Sequence, residues 1–183
     1  MSSKEPTTGP GSTLSALRSL GSLADVRPKI KIDSREQRPL RFQRLESRVG
    51  TLQSGDYSVF GLEHLFAIER KSIPDLVSCM TGDNRSRFER ELHRLRGFRF
   101  SRILVVGNRE EIEAESYRAK LSAKVVLNSI NAFEVRYGLP FVFIADPSEA
   151  AKQVENWSYW MAREVVSEAN DLLRGHKKAQ GTT

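Results

Sequence analysis

The sequence predicts an α/β domain in which a central mixed β-sheet is flanked by helices. The order of its hydrophobic patterns supports this prediction, because three strand patterns come first and helical and strand patterns then alternate. The length of 183 residues is sufficient for one domain with a core of its own. Such an order is typical of domains in which helices cover both faces of a sheet.

Five segments have the patterns of strands. Residues 29–33 alternate polar and apolar side chains, as a half-buried strand does. Residues 50–60 and 65–71 predict two more strands, and the short connection through Gly61 predicts a hairpin between them. Two short apolar runs further along predict buried strands: residues 102–107 and 141–146.

Helical spacing of apolar residues predicts the remaining elements. Pro74 is suited to the first turn of a helix, Asp83 is a suitable N-cap, and Gly138 is a suitable stop. The predicted helices are residues 74–80, 83–96, 122–137 and 148–173. We therefore assign the folded domain to residues 28–174. Residues 1–27, rich in Ser, Gly, Pro and Thr, are expected to form a flexible arm, and residues 175–183 a disordered tail.

Composition and charge restrict the class of protein. The formal net charge of +6 favours a polyanionic partner, with nucleic acid ahead of an anionic membrane surface. The single cysteine, Cys79, excludes an internal disulfide framework. There is no apolar signal-peptide segment and no run of about 20 apolar residues that could cross a membrane. We expect a soluble intracellular protein, in a bacterial cytoplasm or a eukaryotic nucleus.

Acidic residues are concentrated at the ends of the leading strands. Asp33 ends the first strand, Asp56 follows Gly55 in the second, and Glu69 lies two residues before Lys71 in the third. Side chains alternate along a strand, so Glu69 and Lys71 should share a face, and the hairpin should bring Asp56 beside them. Clustered carboxylates without His or Cys favour Mg²⁺ or Mn²⁺, and a neighbouring lysine can hold water or a phosphate. By spacing alone, surface charge on an edge hairpin explains this pattern better than a metal site does.

The full run of motifs resembles the nuclease domain of the XPF family, which includes the archaeal Hef nucleases. The family signature is Gly-Asp, a variable gap, Glu-Arg-Lys, three residues and Asp. This chain has Gly55-Asp56, Glu69-Arg70-Lys71 and then Asp75. The upstream run 33–36 (Asp-Ser-Arg-Glu) and the downstream run 83–85 (Asp-Asn-Arg) also match, although Asn84 replaces the usual glycine.

The resemblance implies a restriction-endonuclease-like, three-layer core of the PD-(D/E)XK superfamily that cuts branched or flapped DNA with a divalent metal. By position, it implies metal ligands at Asp33, Asp56 and Glu69. Together with Asp56 and Glu69, Lys71 would be catalytic. Supporting roles are implied for the remaining motif residues: Glu36, Arg70 and Asp75. The alternative function is a non-catalytic DNA-binding or scaffolding subunit.

Arginines near these motifs are candidates for phosphate contacts. The residues that we expect to bind DNA are Arg35, Arg38, Arg41, Arg85 and Arg87. For the helix, a salt-bridged solvated face is an equally good explanation, because Glu89 and Glu91 are interleaved. The family usually carries a tandem helix-hairpin-helix module, which these residues lack, so two alternatives stay open: a stand-alone nuclease, or a nuclease that borrows DNA contacts from a partner. Family members pair through C-terminal helices, and the apolar stripe with Trp157 and Trp160 predicts a homodimer.

Overall fold

The structure is a computed structural model that describes the backbone of residues 27–180 and the side chains of residues 27–176. The predicted N-terminal arm, apart from Arg27, and residues 181–183 of the predicted tail lie outside the described residues. Pro28–Val165 form one compact unit, and the chain from Val166 belongs to a second unit.

Within the described residues, one sheet of six strands forms the centre of the larger unit. The strands are β1 (Ile30–Asp33), β2 (Ser47–Gly50), β3 (Tyr57–Val59), β4 (Phe66–Ser72), β5 (Phe100–Val106) and β6 (Phe141–Ile144). Their spatial order is β2-β1-β3-β4-β5-β6. Only β3 runs antiparallel to its neighbours, β1 and β4, so the predicted mixed sheet and the predicted hairpin are both confirmed.

Helices cover both faces of this sheet. They are α1 (Ile73–Ser78), α2 (Gly82–Leu95), α3 (Arg109–Glu113), α4 (Ala123–Tyr137) and α5 (Pro147–Gln180). Alternation along β4 divides the core, since Ala67 packs with apolar residues of α1, α2 and α4, whereas Phe66 and Ile68 pack with those of α5. The result is the predicted three-layer α/β arrangement.

Two elements of the leading region differ from the prediction. The strand expected over residues 50–60 is ordered as β3 only from Tyr57, because residues 51–56 bend through Gly55. The short edge strand β2 was not predicted. It pairs with β1 on one side only and leaves Arg48 and Val49 exposed, so it lacks the alternation that buried strands show. The short helix α3 was also missed, although Asn108 and Glu111 form a capping box at its start.

The last helix is longer than predicted. The pattern suggested that order ends near Leu173, but α5 continues past Gly175 to Gln180, so the predicted disordered tail is corrected for residues 175–180. A glycine inside a helix costs only about 1 kcal/mol relative to alanine and does not stop it. None of the described helices is long and apolar enough to cross a membrane.

Candidate active site

A cavity of about 360 Å³ lies where the end of β4 meets α1, α2 and the loop that follows β1. Most of the residues singled out in the sequence contribute to its wall. The lining residues are Arg35, Glu36, Gln37, Asp56, Glu69, Arg70, Lys71, Asp75, Ser78, Cys79, Asn84, Arg87, Phe88 and Glu91.

Asp56 is held beside β4 by backbone contacts. Gly55 has a φ of +79°, and a Cβ at this position would lie 3.1 Å from the carbonyl oxygen of Ile68, so only glycine fits without strain. The Asp56 amide donates to the Ile68 carbonyl at 2.8 Å, and the Arg70 amide donates to Asp56 Oδ2 at 2.7 Å. These bonds aim the Asp56 carboxylate at the neighbourhood of Glu69, as the hairpin predicted.

Glu69 and Lys71 lie on the same face of β4, as strand alternation predicts. Glu69 is only 4% exposed, and its Oε1 accepts a hydrogen bond from Lys71 Nζ. Lys71 Nζ also lies 3.4 Å from Glu91 Oε2 on α2, so the lysine is held between two carboxylates. Arg70 pairs instead with Glu36, at 3.7 Å between Nη1 and Oε1, and its Nε is buried without a hydrogen-bond partner among the described residues.

Burial and crowding set the charge states in this cavity. Burial raises the pKa of Asp56 to about 6, with repulsion from Glu36 and Glu91 adding to it. Burial, followed by the charge of Asp56, also raises the pKa of Glu69 well above its usual range. Burial would lower the pKa of Lys71, but the charges of Glu69 and Glu91 outweigh it and raise the pKa. The Lys71 side chain therefore stays protonated, and the carboxylates around it carry an excess of negative charge.

Asp33 lies near these groups but outside the cavity. Its side chain is 1% exposed, and Oδ1 accepts from both the amide and the Nε of Arg35 at 2.8 Å. Its Oδ2 accepts from Arg35 Nη2 at 3.1 Å and from the Leu52 amide at 2.8 Å. An ionised carboxylate offers about four accepting positions, and these four bonds fill them. The hydrogen bond from the Arg35 side chain is the main cause that lowers the pKa of Asp33 to about 2.

The supporting motif residues have distinct local roles. Asp75 is the third residue of α1 and forms a capping box with Ser72: Ser72 Oγ donates to Asp75 Oδ2 at 2.6 Å, and the Asp75 amide donates to Ser72 Oγ at 3.3 Å. Glu36 accepts from the Arg38 amide at 2.6 Å. These contacts hold the cavity wall on two sides.

The five arginines expected to bind DNA do not share one environment. Arg35 and Arg87 line the cavity, and Arg38 and Arg41 have exposed side chains on the loop after β1. Arg85 does not fit the expectation. It bonds Glu89 at 3.1 Å, Ser129 at 3.2 Å and the Met80 carbonyl at 3.2 Å, so it joins α2 to α4. A guanidinium with these partners serves the packing of the fold.

Two titratable lining residues, Glu91 and Cys79, were not predicted as part of the site. Glu91 was regarded as a counter-charge on an arginine-rich helix, yet it approaches Lys71. Cys79 is partly buried, and burial is the main cause that raises the pKa of its thiol. Glu91 lies three residues after the buried Phe88, and this spacing could have placed it on the sheet-facing side of the helix.

The carboxylate oxygens in this cavity provide part of the ligand set that a hard divalent cation needs. Asp56 and Glu69 offer carboxylate oxygens, and their raised pKa values mark negative charge that a cation would neutralise. No group of three metal-ligating side chains is found among the described residues. Because Mg²⁺ is often held by one or two carboxylates together with water and substrate phosphates, two carboxylates are an adequate protein contribution.

Comparisons with known proteins agree with the fold and with the motifs. The model of the ERCC4 domain matches residues 32–156. The structure is similar to that of XPF from Aeropyrum pernix, with a TM-score of 0.56 and 20% sequence identity; the match covers 72% of this chain and 60% of that one. It is also similar to XPF from Aeropyrum pernix in complex with DNA, with a TM-score of 0.57 and 20% sequence identity. That match covers 75% of this chain and 66% of the XPF chain. The chain thus spans less than two thirds of either XPF chain. No curated protein sequence matches it.

Proposed function

Since this chain belongs to the ERCC4 domain family, we propose that it is a divalent-metal-dependent DNA endonuclease. The observation that supports this most directly is the arrangement of Asp56, Glu69 and Lys71 around one cavity. Two buried carboxylates with raised pKa values and a lysine that stays protonated form a constellation suited to hydrolysis of a phosphodiester bond.

In this proposal, Asp56 and Glu69 hold Mg²⁺ or Mn²⁺. The ion would supply Lewis-acid activation of the phosphate and of the attacking water. Lys71 acts as a hydrogen-bond donor rather than as a base, because its raised pKa keeps it protonated at neutral pH. Its ammonium group orients water or stabilises charge on the phosphate. Asp33 joins the ligand set only if Arg35 and the Leu52 amide release it.

The residues around the cavity have supporting roles. Arg70 and Glu36 brace the loop after β1 against β4, and the Asp75 capping box fixes the start of α1. Arg35, Arg38, Arg41 and Arg87 bind the phosphates of the substrate. The guanidinium group of arginine can donate two parallel hydrogen bonds to phosphate oxygens, and such contacts do not depend on the base sequence.

We further propose that the substrate is branched, flapped or forked DNA arising in repair, recombination or replication. The similarity to the structure of XPF from Aeropyrum pernix in complex with DNA supports nucleic acid as the partner. A heterologous protein that contributes further DNA contacts is also part of this proposal.

A homodimer through α5 is part of this proposal. Trp157 is partly buried and packs against Phe100 of the core at 5.8 Å between ring centroids, whereas Trp160 is exposed beside Tyr159. An exposed aromatic pair of this kind suits a protein interface. Sedimentation of the full chain, compared with the variant Trp160→Ala, tests whether this surface pairs.

The decisive test is a panel of flap, fork, junction, duplex and single-stranded DNA, each with Mg²⁺, with Mn²⁺ and with EDTA. We expect cutting with either metal, none in EDTA, and a loss on the order of 100- to 1,000-fold or more in Lys71→Ala and Asp56→Asn. Lys31→Ala is the matched control, because Lys31 pairs with Glu63 outside the cavity. Undiminished cutting in EDTA or in Lys71→Ala would refute the site.

A second candidate function is a non-catalytic DNA-binding or scaffolding subunit. The saturation of Asp33 by Arg35 favours it, since this removes one of the expected ligands from the cavity. Salt-sensitive DNA binding with no cutting of any substrate under either metal would establish this alternative in place of the nuclease.

A further inference from the structure

We propose that a second groove, on the outer side of α2, binds the phosphate backbone of the same nucleic acid a few nucleotides away from the cavity. The proposal rests on the proposed function and extends it, because it assigns a path to the strand beyond the cut. The groove has a volume of about 570 Å³. Its lining residues are Ser86, Glu89, Arg90, His93, Arg94 and Tyr137.

The arginines around this groove fall into two classes. Arg85 and Arg136 both bind Glu89, at 3.1 and 3.6 Å, so the one carboxylate that lines the groove is already occupied. Arg90 and Arg94 have no ion pair and no side-chain hydrogen bond among the described residues, and Arg90 is exposed. A groove with two unpaired guanidinium groups and a neutralised acid is complementary to an anion.

The unpaired arginines form a continuous path from the cavity. In an α-helix each residue advances by about 100° and 1.5 Å, so Arg87, Arg90 and Arg94 fall within about 60° of one another over roughly 10 Å of axis. Arg87 belongs to the wall of the cavity, whereas Arg90 and Arg94 line the groove. One strand of B-DNA carries a phosphate about every 3.4 Å along its axis, so this path spans about three phosphates.

This continuity is the reason to favour nucleic acid over an acidic polypeptide as the occupant. A substrate whose scissile phosphate lies beside Lys71 extends its backbone past the rim at Arg87, and the groove is the next positive surface along α2. An acidic peptide would explain the charge but not the connection to the cavity.

The test measures DNA binding by the full chain in EDTA, with fluorescence anisotropy over a range of salt concentrations. The double variant Arg90→Ala/Arg94→Ala removes the groove cations. The matched control, Arg109→Ala/Arg163→Ala, removes the same charge from α3 and α5, where neither residue lines the active-site cavity or the groove. We expect the groove variant to bind DNA at least about tenfold more weakly. The salt slope, which is the slope of log binding constant against log salt concentration, should fall in magnitude by about two, because each phosphate contact contributes close to one.

A set of DNA substrates, each with one phosphate replaced by a neutral methylphosphonate, shows which phosphates contact the groove. Neutral linkages about two to three nucleotides from the cut should weaken binding to the unaltered protein and leave binding to the groove variant unchanged.

Equal effects of the groove and control variants on affinity and salt slope would overturn the proposal, while cutting by the unaltered protein would still support the nuclease function. Equally tight, arginine-dependent binding of polyglutamate would assign the groove to an acidic protein and overturn it too. A protein that cuts no DNA but shows the groove-specific loss would retain the groove and reject the nuclease.

Discussion

Asp33 and Asp56 stand at adjacent points of the same sheet and have opposite electrostatic environments. Their backbones are joined by a hydrogen bond of 2.8 Å from the Asp33 amide to the Asp56 carbonyl. Four donors surround the carboxylate of Asp33 and hold its pKa at about 2, whereas burial near other carboxylates raises the pKa of Asp56 to about 6. The difference teaches that a carboxylate whose accepting positions are all filled supports the fold, whereas a buried carboxylate near others has the raised pKa that the proposed cation would lower.

The largest effect that we expect from this contrast concerns stability. Asp33→Asn should lower the free energy of unfolding by about 2–3 kcal/mol, because it weakens hydrogen bonds to a charged acceptor and leaves buried donors unsatisfied. Urea unfolding followed by circular dichroism measures the loss. The matched variant Glu69→Gln should raise stability in EDTA, because it removes a buried charge whose pKa burial has raised. If both variants shift stability in the same direction, the contrast is wrong.

A smaller effect should appear when the metal is added. Mg²⁺ at ten times its dissociation constant should stabilise the unaltered protein by about 1.4 kcal/mol, because it binds only the folded state. In a chain of this size, such a gain raises Tm by roughly 3–5 °C. Asp56→Asn and Glu69→Gln should lose the rise.

Asp33→Asn is the informative comparison in that experiment. With the carboxylate of Asp33 engaged by Arg35, this variant should keep the Mg²⁺-dependent rise in Tm even though it starts from a lower value. Loss of the rise in Asp33→Asn would instead place Asp33 among the ligands and show that Arg35 releases it on metal binding.

A third effect is a dependence of stability on pH. The raised pKa of Asp56 means that the folded state binds this proton more tightly than the unfolded state. Its stabilising contribution is therefore full below about pH 4 and is lost as the pH rises through about 6. Asp33 has the opposite sign: its contribution is present above about pH 4 and is lost as the pH falls through about 2.

Unfolding in urea and EDTA between about pH 4.5 and 7.5 isolates the first of these groups. Asp56→Asn should flatten the decline in stability across this window, while Asp33→Asn should shift the whole curve down and leave its slope unchanged. An unaltered slope in Asp56→Asn would show that its carboxyl group does not titrate there.

Local patterns were sufficient for much of the fold and for the centre of the site. The hairpin, the α/β order and the shared face of Glu69 and Lys71 follow from turn residues and strand alternation, and the structure confirms them. The short strand β2 and the helix α3 escaped prediction. An exposed four-residue edge strand and a single helical turn have too few residues to establish a period.

The sequence by itself determined which chemistry is available: Asp56, Glu69 and Lys71 are brought together by contacts a few residues apart in a hairpin, and such contacts follow from local spacing. Only the tertiary structure decided how the other charges are used. Arg35 occupies Asp33, Glu91 reaches Lys71 because α2 packs on β4, and Arg85 is drawn into the contact with α4. These pairings join segments that are distant in the chain or depend on the rotamer of one arginine. A charged side chain looks the same in a sequence whether its partner will be water, protein or a phosphate.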